Sequence, residues 1–230
     1  MTAALTLTTA CGGGGEGDTA GRRTTSAEAE KRLSQQDLDR LALNTHEVPG
    51  YTAKAVTGKG APVDHDMLAT YRAVTPATCR PVYAAADLGS LHDFSAKVEG
   101  DVVSDSDGLA HHASVGLTSY TRPDALKVMA ELRAALPLCT TASMLPSASH
   151  PGAGLGYSGT RGRSAGDYGD DSIAFDTTQV IAEAGGGPTI PLTVLVVRKG
   201  STVAAFASLN PTQPPVIPEN IIEAQLKKLG

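Results

Sequence analysis

Tryptophan is absent from this 230-residue chain, and aromatic residues together make up 4% of it. Platforms on which bases or sugar rings would stack are therefore not expected. Nineteen basic residues stand against 24 acidic ones, a net charge of −5. With no basic cluster, that balance argues against nucleic acid as a partner. No apolar run approaches the ~20 residues of a membrane-spanning helix. Cysteine occurs three times, at Cys11, Cys79 and Cys139. What remains is a globular composition, 41% hydrophobic and 19% charged, in a chain long enough for one domain with a full core.

Residues 5–15, LTLTTACGGGG, place everything that follows. They resemble a bacterial lipobox, in which small residues precede a cysteine that becomes the acylated first residue of the mature protein. Thr8 stands where such motifs usually carry Leu, no basic n-region precedes it, and ten residues are short for a signal peptide. The reading is a partial signal peptide and lipobox over 1–11, lipidation at Cys11, and Met1 as an internal start. The bland alternative is a chance cysteine in an N-terminal tail. Residues 12–23 hold six glycines and no large apolar side chain. The segment 12–25 thus reads as a flexible tether, with an r.m.s. reach of roughly 20 Å for about 13 residues. On this reading the partner at Cys11 is the membrane, and residues 26–230 form one domain on its extracytoplasmic face. Two or three acyl chains would hold it stably, where one binds only marginally.

Lipidation of Cys11 leaves Cys79 and Cys139 as an even pair in an oxidising compartment, where a disulfide is expected. Two buried thiols are the alternative.

Along the body, Ser34 and Asp37, flanked by Leu33 and Leu38, mark a capped helix start with a hydrophobic staple. Asn44 and Glu47 predict one further helical turn, stopped by Pro49-Gly50. A strand follows over Tyr51–Thr57, then a loop over Gly58–Asp66. Met67–Val74 is ambiguous between helix and strand. Thr75-Pro76 opens a short helix past Cys79, with Pro81 making its first turn irregular. Residues 94–103 alternate, with Phe94, Ala96, Val98 and Val102 on one face. The SDSDG turn returns a strand carrying Ala113, Val115 and Leu117 inward. Thr121 and Pro123 open the longest helix, whose face with Leu126 and Met129 is expected on the sheet. Residues 146–171, rich in Gly, Ser, Pro and Asp, read as a long surface loop. A meander of Ser172–Ala182, Leu192–Arg198 and Ser201–Leu209 follows. Its middle strand is apolar on both faces and so belongs at the centre. Pro218–Leu229 closes the chain as a helix with Ile221, Ile222, Leu226 and Leu229 on one side.

Catalytic motifs fail on context. GLGYSG at 154–159 has the three glycines of a dinucleotide loop but no strand before it or helix after it. Ser158 lacks the last glycine of a nucleophile elbow. His111 and His112 point to opposite faces of a strand and cannot chelate one ion side by side. Asp105 and Asp107 lack the flanking ligands of a calcium loop, and Asp167, Asp170 and Asp171 read as solvated turns. No metal, cofactor or catalytic residue is expected.

TPATCRPV, LTSYTRPDALKVMAELRAALPLC, VLVVRKGSTVAAFASL and ENIIEAQLKKL resemble the extracellular sensor domains of actinobacterial receptor kinases of the PknH type and related small lipoproteins. The resemblance covers roughly residues 33–229. It implies an α+β fold, an antiparallel sheet flanked by helices with a cleft of unassigned ligand; the strands named above number about six. Those sensors have a second disulfide, for which this chain has no cysteines. The expectation is a lipid-anchored, non-catalytic domain that binds a small molecule or an envelope protein and signals, if at all, through a partner. The rivals are a secreted serine hydrolase using Ser158 and an envelope lipid carrier or chaperone, which would need a large apolar cavity.

Overall fold

A computed structural model describes residues 32–55, 71–106, 108–144, 154–182 and 187–230. Cys11, the tether, the 58–66 loop and the first half, 67–70, of the ambiguous 67–74 stretch lie outside the described residues. Nine strands form one antiparallel sheet among these residues: β1 (Tyr51–Ala55), β2 (Val74–Thr75), β3 (Ala96–Ser104), β4 (Gly108–Ser119), β5 (Thr141–Met144), β6 (Gly154–Arg163), β7 (Asp171–Ala182), β8 (Thr189–Lys199) and β9 (Thr202–Leu209). Their order is β1-β3-β4-β9-β8-β7-β6-β5-β2. Four helices flank it: α1 (Gln35–Leu41), α2 (Arg80–Ala86), α3 (Arg122–Ala135) and α4 (Glu219–Leu229).

β8 sits fifth of nine, at the centre, where its two-faced apolar sequence belongs. Its parity divides the core. Leu192, Val194 and Val196 meet α2 and α3 through Val82, Tyr83, Met129 and Leu132. Leu195 and Val197 join Phe206, Val98, Val115 and Leu117 under Leu38 of α1 and Ile221 and Ile222 of α4. Helices therefore cover both faces, but over different strands. The second core draws on β1, β3, β4, β9, β8 and Ala174 of β7, and on no residue of β5 or β6.

Six strands become nine because β2, β5 and β6 have little strand signal of their own. β2 has two residues and β5 four. The chain over 154–163, expected as loop, is the ten-residue strand β6. Its glycines offer little strand propensity, and its place is set by pairing with β7 and β5. Tyr157 anchors it at 5.0 Å, edge-on, from the Tyr83 ring. Gly159 adopts φ +66° at the bulge between Ser158 and Arg161, a conformation side-chain-bearing residues disfavour.

Other expectations shift by a turn or a face. Helix α1 opens on the capping box of Ser34 and Asp37 but stops at Leu41. Asn44–Glu47 is a turn in which the Glu47 carboxylate accepts from the Asn44 N–H at 2.8 Å. Phe94 packs with the α2–α3 core, not with Ala96 and Val98, because the strand starts only at Ala96. On α3 the buried stripe is Ala125, Met129, Leu132 and Ala135, while Leu126 is 47% exposed. Small alanines bring the helix close to the sheet, and that rotation turns Leu126 outward.

Gln225 gave no sequence signal, yet it is fully buried on α4. Its amide donates to the Leu41 carbonyl at 2.8 Å and its oxygen accepts from the Leu43 N–H at 3.1 Å, closing the end of α1. Gln225→Ala strands both backbone groups and is expected to cost about 2–3 kcal/mol. Urea unfolding should show a lower midpoint at unchanged slope. A midpoint equal to that of the parent would mean that the amide does not hold this helix end.

Candidate functional site

Cys79 and Cys139 are joined by a disulfide, with Cα atoms 5.1 Å apart and both residues fully buried. The bond ties the 3-10 turn Ala77–Cys79 ahead of α2 to the turn Leu136–Leu138 that follows α3. It is structural in position, packed within the α2–α3 core.

The residues weighed for chemistry scatter. GLGYSG lies within β6, paired on both sides, so no phosphate loop or nucleophile elbow forms there. Ser158 stands between Thr141 and Thr178, neither of which is a base. Asp105 accepts from the Thr52 hydroxyl at 2.7 Å. Asp107 and the side chain of His111 lie outside the described residues, and His112 is buried. The acidic stretch before β7 is not simply solvated. Asp171 accepts from Arg133 at 2.6 Å. Asp170 accepts from the Gly200 N–H at 2.8 Å and from Arg198 at 2.9 Å. The Gly200 N–H above all, with the Arg198 guanidinium, holds the Asp170 carboxyl below its ordinary value.

A tyrosine knot fills the α2 side of the sheet. Tyr71 donates to Asp87 at 2.8 Å, and its ring lies 6.1 Å from that of Tyr83. Gly89 permits this, because a Cβ there would collide with the Tyr71 hydroxyl. Asp87 as a residue is exposed at the end of α2. Its carboxyl is nonetheless held above its ordinary value, by desolvation first, against the lowering effect of the Tyr71 hydrogen bond.

Three concavities matter. Between α2, the 88–92 loop and α3 lies an apolar-lined crevice with His92 bonded to Glu131 at 2.7 Å at its mouth. Its volume is about 40 Å³, far below the several hundred Å³ usual for a small-molecule site. It offers no room for an acyl chain.

The larger spaces lie on the opposite face, where the α1–α4 layer stops short of β6. The cross-strand row Arg161–Asp176–Thr193 floors a groove, and the row Ser158–Thr178–Pro191 lies beside it. Pro214, Pro215 and Val216, on the segment leading into α4, form its wall. The groove measures about 680 Å³ and continues past Arg163 and Val216 into a second space of about 320 Å³. Ala165, Tyr168, Leu195 and Ile217 line that second part. Thr193, itself buried, donates to Asp176 at 2.9 Å and accepts from Arg163 at 2.9 Å. Arg163 also reaches Asp176 at 3.3 Å, and Arg161 approaches the same carboxylate at 3.8 Å. The lining of this larger space contains no histidine or lysine to serve as a base. Its one carboxylate is shared with two arginines. The arrangement presents guanidinium, carboxylate and hydroxyl groups on one floor.

No protein-family model matches the sequence, and no curated protein does. Among solved structures it is similar to the extracellular domain of PknH from Mycobacterium tuberculosis. The TM-score is 0.51 at 13% identity, over 86% of this chain and 97% of that one. A Mycobacterium smegmatis protein, the ortholog of Rv0999, is more distant. It gives a TM-score of 0.34 at 11% identity, over 79% of this chain and 88% of the other. The first of these likenesses shows a shared fold.

Proposed function

We propose that the chain is a lipid-anchored protein working on the outer side of the cytoplasmic membrane. Its folded domain is a non-catalytic, sensor-like binding module. The groove between β6–β8 and the 214–216 wall carries this reading. It is large enough for a ligand, polar on its floor, apolar on its wall, and left open because the α1–α4 layer of that face stops short of β6. The disulfide fits an oxidising compartment. None of the helices among the described residues is long and apolar enough to cross a membrane. The likeness to an extracellular sensor domain points the same way.

The test is a small-molecule fragment screen on the oxidised full chain, read by amide chemical shifts. Hits are expected to move residues 159–163, 176–178, 191–193 and 214–217. Hits that instead cluster around Leu88, His92 and Val128 would assign binding to the crevice and overturn the groove.

A further inference from the structure

The charge at one end of the groove narrows what it takes, given that the groove is the binding site. We propose that its ligand is an amphiphilic anion, a phosphate or carboxylate head on a short apolar chain. The head meets Arg161 and Arg163, and the chain lies along Pro214–Val216 toward Ala165 and Leu195.

Two guanidinium groups face one carboxylate here, so the head end of the groove is locally cationic on a chain whose net charge is −5. Asp176 offsets only one of the two charges: it accepts from Thr193 and pairs with Arg163 at 3.3 Å and, more loosely, with Arg161 at 3.8 Å. A guanidinium carries five donors in a planar fork suited to two oxygens of one oxyanion. The Arg161 side chain is 79% exposed and stands over the groove with that fork turned to solvent. Arg163 is different. Thr193 and Asp176 fix its position, so it offers its remaining donors from a set place rather than from a mobile stem. The arrangement pairs an anchored cation with a reaching one.

The other wall is apolar. Val216 is 60% exposed, one of few large aliphatic side chains so placed among the described residues. It follows two prolines whose rings fix the backbone, so the wall is preformed. Beyond it the second space is lined by Ala165, Ala174, Leu195 and Ile217, and also by Tyr168 and Glu219, which bond each other. The Glu219 carboxylate disfavours a second anionic group in that space, so the ligand carries its charge at the arginine end. A cation would be repelled by the guanidinium pair, and a neutral amphiphile would leave the surplus positive charge of Arg161, Arg163 and Asp176 unmatched.

The test uses octyl phosphate, octanoate, octyl glucoside and inorganic phosphate, each below its micelle concentration, on the oxidised full chain. Octyl phosphate or octanoate should bind about tenfold or more tightly than octyl glucoside, which shares the chain but not the charge. Both should move the amides of 159–163 and 214–217. Inorganic phosphate, lacking the chain, should bind more weakly at 159–163 alone. Arg161→Gln should cut the preference for the charged head about tenfold while leaving the melting temperature unchanged. Val216→Asp should weaken the octyl ligands and spare inorganic phosphate. Equal binding of octyl glucoside and both anions in this groove would overturn the anion assignment while leaving the groove as the binding site. Shifts from every probe at some other surface would overturn both.

Discussion

Reducing the Cys79–Cys139 bond, or replacing both cysteines with alanine, should lower the melting temperature by roughly 10 °C. The bond closes a separation of 60 residues, and a loop of that size gains about 4 kcal/mol in the chain-entropy treatment. That is a large share of the 5–15 kcal/mol that typically holds a domain folded. The local structure makes the dependence concrete. Cys79 ends a three-residue 3-10 turn and begins α2, seven residues long with Pro81 in its first turn. A helix so short is marginal alone. On the other side, β5 has four residues and meets the two-residue β2 at the sheet edge. These pieces lean on α3, the best-formed helix, through the covalent tie at its end. Hydrogen exchange should therefore rise first over 74–86 and 141–144 in the reduced protein. The paired centre of β4, β9, β8 and β7 should stay protected. Calorimetry showing a shift under about 2 °C would mean that packing alone secures this edge.

What could be read from the sequence follows from where the information lies. The α1 cap, the β3–β4 hairpin, the two-faced β8 and the helix Glu219–Leu229 are written in local spacing, and all four are present. β6 is not written that way. Four glycines and a mixed run of Leu155, Tyr157, Arg161 and Arg163 specify little until β7 lies alongside. Arg161, Arg163 and Asp176 could be joined only by knowing that register, since Arg161 and Asp176 face each other across two strands. The one available hint was the alternation of Arg161 and Arg163 about Gly162. Gln225 was hidden for a related reason: its partners are backbone atoms more than 180 positions away. The paired acids at 170 and 171 likewise needed Arg198 and Arg133 placed beside them. On α3, the periodicity was legible but its phase was not, because alanine counts weakly as an apolar signal yet decides how near a helix can approach.

The second large effect concerns where the protein resides. Cys11→Ser should move the chain from the membrane to the soluble fraction, or leave it unprocessed, when the protein is made behind a complete export signal in an actinobacterial host. A single acyl chain gives only marginal, reversible binding, with an association constant of about 10⁴ per molar, whereas two or more hold a protein stably. None of the described helices is long and apolar enough to span a bilayer. The decisive measurement is detergent phase partitioning of parent and Cys11→Ser proteins, coupled to mass analysis of the N-terminal peptide. The expected result is the parent in the detergent phase with acylated Cys11 as its first residue, and the variant in the aqueous phase. Identical partitioning of the two, with Cys11 of the parent recovered unmodified, would contradict it.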